Sequence, residues 1–354
     1  MSGEALSGEL DMTRAAVWKH MQALQAAGWP IECAARKGYR IAEGARLPYS
    51  AAGIRSELRR LALGDSGEDA ATDSRTIRND GASTGSIDWR VLLLEQTDST
   101  NTRIKALAAE GAPEGCVVLA ETQTGGRGRM GRTWASSGGD GIWMSVLLRP
   151  DMPPDQVQSL TLAASVAVVE AVTVYLAEAG VVAPMSAERA EPPSGHDIGI
   201  KWPNDLLWQG RKLCGILTEM AAEPDRVSHV VVGIGLNVMH RREDFPPELR
   251  DTAASLRQVL EGCGCRAEPD RNRVAALMLH HLAEAALAHR SDGLAGLLAR
   301  WRKASVTLGR TIRVMAPEGA WLARAVDVGM DGRLLVERPD GTQEWLLSGE
   351  ISIR

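Results

Sequence analysis

Residues 125–132 read Gly-Gly-Arg-Gly-Arg-Met-Gly-Arg. Such a stretch suits neither a helix interior nor a strand interior. Glycine loses more conformational freedom on ordering than any other residue, so four of them together need a reason in turns or close backbone approach. Arg127, Arg129 and Arg132 add three planar guanidinium forks, whose geometry matches phosphate oxygens. Further along, Lys201-Trp202-Pro203-Asn204-Asp205 sets a lysine beside a rigid Trp-Pro turn, followed by an amide and a carboxylate. Together the two segments point to a site that handles a nucleotide phosphate and an acyl group. Gly126–Gly131 also fits the pattern G-x-G-x-x-G, which signals dinucleotide binding only between a strand and a helix. An apolar run, Cys116–Ala120, precedes it, but the following Thr-Trp-Ala-Ser-Ser-Gly-Gly-Asp-Gly cannot start a helix. The alternative to a phosphate loop is a solvated basic loop.

The 354 residues suggest two or three domains, and 44% hydrophobic with 24% charged residues is globular composition. A net charge of −5 excludes a global polycation, so any contact with DNA must be a local basic patch. No apolar run is read as long enough to span a bilayer, and Met1 opens no signal peptide, so no membrane association is expected. The five cysteines (33, 116, 214, 263 and 265) lack zinc spacing and read as isolated thiols of a reducing cytoplasm.

Residues 1–46 form a small basic unit. Glu4–Glu9 is a short helix candidate, and Thr13 caps a helix over Arg14–Ala27 whose apolar stripe is Ala16, Val17 or Met21, Leu24 and Ala27. Ile31–Ala34 and Tyr39–Ile41 alternate like a hairpin with Arg36-Lys37-Gly38 at its tip. Helix, turn, helix and basic hairpin is the order of a winged helix-turn-helix. An amphipathic helix with a solvated basic face fits the same residues equally well.

Residues 47–88 read as linker and flexible insertion, since 64–88 is rich in Gly, Asp, Ser and Thr, and 182–197 reads as a second insertion. Between them lie strand candidates at Trp89–Glu95, Cys116–Glu121 and Ile142–Arg149 and an apolar helix at Gln156–Ala179. Strands follow at Ile198–Trp202, Lys212–Met220 and His229–Leu236, then helices at Asp270–His289 and Leu294–Lys303. From Arg310 onward short strands alternate with turns, the pattern of a small barrel.

Two further clusters carry polar chemistry. Asp98-Ser99-Thr100-Asn101 opens a helix after a strand, where Ser99 or Thr100 could simply be an N-cap or could bind a polar ligand head. Gly233-Ile234-Gly235-Leu236-Asn237 follows the apolar run Val230–Val232, with glycines that allow close backbone approach and an amide within reach of phosphate or metal. Either is weak alone. In order, however, Asp98–Asn101, Gln123, the Gly-Arg-Gly-Arg-Met-Gly-Arg loop, Lys201–Asp205, Arg211-Lys212-Leu213-Cys214-Gly215-Ile216-Leu217 and Gly233–Asn237 resemble the biotin–protein ligase family from end to end. Arg14–His20 with Lys37-Gly38-Tyr39 resembles the DNA-binding domain of its bifunctional members, the biotin operon repressors.

The resemblance implies a multidomain α+β chain: an N-terminal winged helix-turn-helix (1–46) expected to lack its first helix, a central α+β catalytic domain of the biotin/lipoyl-ligase kind (89–305), and a C-terminal SH3-like β-barrel (306–354). It implies that ATP activates biotin as biotinyl-5′-adenylate, with Mg²⁺, and that a lysine of a biotin carboxyl carrier protein then takes the biotinyl group. Biotin is expected to touch Ser99, Thr100, Asn101, Gln123, Arg127, Gly128, Arg129, Lys201, Gly215, Gly233 and Gly235. ATP or the adenylate is expected at Arg127, Arg129, Arg132, Trp134, Lys201, Asn204 and Asn237, with Asn237 also the candidate for Mg²⁺. Catalysis is assigned to Lys201, Arg127 and Arg129, and Asp205 is a candidate to help the incoming amine. Operator DNA would be met by Thr13, Arg14, Lys19, His20, Arg36 and Lys37, by a homodimer reading two half-sites. Asp251–Leu256 holds no aromatic, so adenine is expected on aliphatic side chains or on the loop. Two other readings use the same residues: a ligand-sensing transcription factor with an inactive catalytic domain, and a lipoate-type ligase.

Overall fold

A computed structural model describes residues 1–26, 28–34, 38–42, 45, 47–63, 87–181, 198–223, 226–316, 319–347 and 349–353. The wing-tip residues Arg36 and Lys37, the insertion 182–197 and most of 64–88 lie outside the described residues. The chain divides into two compact units, Met1–Thr84 and Gly85–Arg354.

In the first unit, helix α1 (Gly3–Glu9) is capped by Ser2, whose hydroxyl accepts from Ala5 N at 3.0 Å. Helix α2 (Arg14–Ala26) follows, with Thr13 Oγ1 accepting from Ala16 N at 3.2 Å, the N-cap bond read from the sequence. Strands β1 (Ile31–Ala34) and β2 (Gly38–Ile41) form the antiparallel hairpin. Met1 extends it, exchanging two 2.8 Å backbone bonds with Tyr39. Gly38, at φ +86°, is required there because a Cβ would lie 1.9 Å from Met1 O. Helix α3 (Ala51–Leu63) falls within the stretch read as linker. Ser50 caps it by accepting from Gly53 N, and Ile54 is fully buried. Its three arginines and Glu57 hid a single apolar stripe, which the Gly/Ser-rich segment after it further masked.

The second unit is built on a seven-stranded sheet. Its strands are β3 (Arg90–Thr97), β4 (Cys116–Gln123), β5 (Gly141–Leu148), β6 (Ile198–Lys201), β7 (Asp205–Trp208), β8 (Arg211–Ala222) and β9 (Val227–Asn237). They lie in the order β3-β4-β5-β9-β8-β7-β6, parallel only between β3 and β4. Every residue of β5 is buried, as a central strand covered on both faces must be. Helix α4 (Thr100–Ala109) packs on β4, β5 and β9. Helix α5 (Val157–Glu178) packs on β8 together with α7 (Arg271–Asp292) and α8 (Ala295–Ala304), while α6 (Leu256–Gly262) closes a loop after β9. The two helical layers take opposite faces: Glu219 of β8 meets α4, whereas its neighbour Thr218 bonds Thr161 of α5 at 2.8 Å.

Helix α5 corrects one expectation. It is long and apolar enough to cross a bilayer by length and composition, yet 78% of its apolar window is buried inside the domain. With strands on one side and α7 and α8 on the other, it is apolar all round because it is a core helix.

Strands β10 (Thr311–Ala316), β11 (Gly319–Val328), β12 (Leu334–Glu337), β13 (Gln343–Leu346) and β14 (Glu350–Ile353) form an antiparallel sheet in the order β13-β12-β11-β10-β14. Its ends, β13 and β14, do not pair, so no closed barrel is found among the described residues. The sheet is locked to the larger one through the Trp-Pro turn. Buried Trp202 takes a 2.9 Å bond to Thr307 Oγ1 through its backbone N–H and donates its indole N–H to Gly332 O at 3.0 Å.

Candidate active site

A cavity of about 1260 Å³ opens on the α4 side of the seven-stranded sheet and reaches the edge of the C-terminal sheet. Every residue named above for biotin or ATP lines it, from Ser99 at the start of α4 to Asn237 at the end of β9. Residues that share one wall in space are thus up to 138 positions apart in sequence because β4, β5, β9 and β8 run side by side.

The arginine-rich loop is a small hairpin. Gly128 N bonds Arg132 O at 2.7 Å, Trp134 N bonds Gly126 O at 2.9 Å, and Arg127 pairs with Thr133. Its tip holds Met130 at φ +55° and Gly131 at φ +74°. No helix follows the Gly-x-Gly-x-x-Gly pattern, as the sequence indicated. Glycine is required at Gly126, where a Cβ would sit 2.4 Å from Trp134 O.

The hairpin returns Trp134 across the sheet. Its indole lies on Gly215 of β8 and Gly235 of β9, which pair directly; a Cβ at either would come within 2.8 Å or 2.6 Å of the ring. These glycines therefore serve as the seat of an aromatic wall. Lys212 Nζ stands beside Gly215, 5.1 Å from the indole's ring centre, and pairs with Asp205 at 2.8 Å. Gly233 serves α4 in the same way, since a Cβ there would lie 2.1 Å from Asn101 Oδ1.

Behind the α4 end runs a buried polar network. Gln123 Oε1 accepts from Thr100 N at 2.8 Å, and its amide donates to Ser136 Oγ at 2.8 Å. Ser145 Oγ lies 2.7 Å from Thr100 Oγ1 and 2.5 Å from Asn101 Oδ1. Asn101 donates to Glu219 at 2.7 Å. Ser99 takes the N-cap position of α4 but makes no side-chain cap bond, so its hydroxyl is not used as a cap.

Cations line the cavity from α4 to the Trp-Pro turn. Lys201, half-buried, ends β6 beside the Trp-Pro turn. Arg129 Nη1 donates to Asn204 Oδ1 at 3.1 Å, and Asn204 is itself fixed by its amide donating to Ile216 O at 2.8 Å. Arg127 Nη2 donates to Thr102 at 3.0 Å and Arg132 is exposed. Asn237 is buried, its amide donating to Ala254 O at 3.0 Å and reaching Lys212 O at 3.4 Å. No group of three or more His, Cys, Asp or Glu able to hold a metal occurs among the described residues. The donor set around Asn237 does not fit a resident Mg²⁺.

Some lining residues escaped the sequence reading. Phe245 and His240 stack with ring centres 4.5 Å apart and line the cavity near Leu249 and Ala253. Burial holds the His240 imidazole below its ordinary value although Asp140 and Asp244 pull it up, so it is neutral. Arg310 reaches the cavity from the start of the C-terminal sheet. Nothing near either residue in the sequence marks it, because the fold alone brings it to the site.

Residues 93–237 match the biotin/lipoate A/B protein ligase family, residues 1–40 an HTH domain, and residues 307–354 the biotin protein ligase C terminal domain. The bifunctional ligase/repressor BirA of Bacillus spizizenii is 34% identical over 354 residues, covering 100% of this chain and 94% of that protein. The biotin–[acetyl-CoA-carboxylase] ligase of Mycobacterium tuberculosis is 39% identical over 271 residues, covering 75% of this chain and 90% of that protein. The solved biotin protein ligase of Aquifex aeolicus in complex with biotin and ATP superposes with a TM-score of 0.59 at 26% identity, over 75% of this chain and 98% of that one. The chain belongs to the biotin protein ligase family.

Proposed function

We propose that this chain is an ATP-dependent biotin–protein ligase whose N-terminal unit binds operator DNA. The observation that carries the enzyme reading is the single cavity in which the α4 polar cluster, the Trp134 wall, the loop arginines and Lys201 meet. We assign the ureido head of biotin to the Ser99–Asn101 and Gln123 end, and its apolar chain to the Trp134 indole. The carboxylate then falls between Arg129 and Lys201. Its oxygen attacks the α-phosphorus of ATP, a P–O bond forms, and the bond to the β-phosphate breaks to release pyrophosphate. Two anions meet in this step, and fixed cations placed where charge develops lower its barrier. In the second step the carrier lysine's amine attacks the acyl carbon and AMP leaves. Asp205, which pairs with Lys212 at 2.8 Å, is the group we assign to accept this amine's proton. Mg²⁺ enters as the counter-ion of the nucleotide and is part of the substrate.

Thr13, Arg14, Lys19 and His20 are all exposed on or beside α2, which supports their use on DNA. We read the protein as a dimer when it binds two half-sites, the C-terminal sheet as an SH3-like barrel left open between β13 and β14, and the compartment as the cytoplasm, in keeping with five free thiols. Incubation with ATP, Mg²⁺, biotin and a carrier domain should add one biotinyl group to the carrier mass. No mass gain would leave the ligand-sensing reading, and gain with lipoate in place of biotin would favour the lipoate-type ligase.

A further inference from the structure

We propose that Glu219 is the resting partner of Arg127, a positioning residue that holds the guanidinium against α4 until the α-phosphate of the nucleotide takes its place. This rests on the assignment of Arg127 to the nucleotide made above. Arg127 Nη2 donates to Thr102 Oγ1 at 3.0 Å and lies 3.6 Å from Glu219 Oε2. Glu219 is not among the residues lining the cavity, whereas Arg127 is. The carboxylate is fixed from behind: Lys105 bonds Oε1 and Asn101 donates to Oε2 at 2.7 Å. Burial raises its pKa, but the hydrogen bonds from Lys105 and Asn101 and the charges of Lys105 and Arg127 outweigh this and hold it below the ordinary carboxylate value. It is therefore an anion at neutral pH, with one side open to Arg127.

The pair is built to be exchanged. At 3.6 Å it carries no hydrogen bond, and the Arg127 side chain is 44% exposed. A phosphate offers the same guanidinium two parallel charge-assisted bonds. Nucleotide binding must therefore compete with Glu219, and Glu219 keeps Arg127 pointed at α4 while the site is empty. A purely structural Glu219 would act only on stability and on the Asn101–Ser145–Thr100 network. A resting partner acts on nucleotide affinity, and only through Arg127.

The full chain is titrated by calorimetry with α,β-methylene-ATP, which binds without reacting. Glu219→Gln keeps an acceptor for Asn101 and removes the charge. It should tighten the nucleotide about threefold, the range of a partly exposed ion pair. Arg127→Gln should weaken binding, and Glu219→Gln in that background should change nothing further. Unchanged or weaker binding by Glu219→Gln overturns the proposal alone, as does equal tightening in both backgrounds, which would be a general charge effect through Lys105. If Arg127→Gln leaves affinity unchanged, the assignment of Arg127 to the nucleotide falls, and this proposal with it. Should Glu219→Gln not fold, Thr102→Val removes the other anchor at an exposed position; it should also tighten the nucleotide, and no tightening overturns the proposal.

Discussion

Arg129 Nη1 donates to Asn204 Oδ1 at 3.1 Å, a bond between the tip of the arginine hairpin and the turn after β6. It joins the two segments that stand out in the sequence and carries a loop cation to the lysine end of the cavity. Arg129→Gly removes this tie and a charge-assisted contact worth on the order of 2 kcal/mol. We expect adenylate formation in a single turnover to slow by roughly the corresponding thirtyfold, and the adenylate to escape before transfer. Wild-type formation and retention would take the hairpin out of the mechanism.

Trp134 and Gly235 make a second testable contact. Gly235→Ala would place a methyl 2.6 Å from the indole, and neither β9 nor its partner Gly215 can recede within a paired sheet. The ring must lift, at a cost of about 1–3 kcal/mol in stability typical of overpacking. Biotin affinity should fall about tenfold or more, as one lost wall contact of that size implies. Calorimetric biotin titration together with a melting curve checks both. Unaltered affinity in a folded variant would mean that the indole does not line the biotin chain.

Much of this was legible in the sequence, and what was missed has physical causes. The loop, the Trp-Pro turn, helices α2, α5 and α7 and most strands of the second unit declared themselves by periodicity and by glycine and proline placement. Helix α3 was lost in a polar context, and β7 was too short, at four residues, to separate from the turn before it. Gly233 and Gly235 were read as letting the backbone approach a ligand; a Cβ at Gly233 would also meet Asn101, and one at Gly235 or Gly215 would meet Trp134. No local pattern tells a glycine that admits a ligand from one that admits a side chain from another strand. Glu219 was hidden for the same reason: its partners Asn101, Lys105 and Arg127 come from α4 and the loop.

Lys201 lines the cavity at the end of β6, opposite Asp205 in the β6–β7 register. A fixed ammonium between the carboxylate and the α-phosphate favours the transition state more than either substrate. Lys201→Ala should lower the adenylation rate by at least ~100-fold, the range for removing one such donor. Pyrophosphate exchange measures it. A near-normal rate with an intact melting transition would refute the role.

His289 gives a pH dependence of stability. Its Nε2 lies 2.7 Å from Ser159 Oγ, whose proton goes to Gln156 O at 2.6 Å, so the imidazole donates from Nε2. Burial lowers its pKa. The unfolded chain then binds more protons than the folded one as pH falls below about 6.5. Stability is full above that value and declines as pH drops toward the depressed folded value. Melting at pH 7.5 and 5.5 should show the acid loss, and His289→Gln should reduce it. An undiminished loss in the variant would assign it to His229, His240 and His281, which burial also depresses.

Lys19 bears on the DNA reading. It is exposed on α2, on a unit that forms its own compact body, so Lys19→Ala should leave ligation unchanged. If it meets a phosphate, the variant should weaken binding to all sequences alike and flatten the dependence of log affinity on log salt by about one. A base contact would instead weaken only the specific site, by roughly 1–3 kcal/mol. Mobility shifts on the promoter of biotin-synthesis genes, with biotinyl-adenylate present and salt varied, separate the two. No salt-sensitive shift by the wild-type chain would leave α2 an amphipathic helix with a solvated basic face, and the protein a ligase alone.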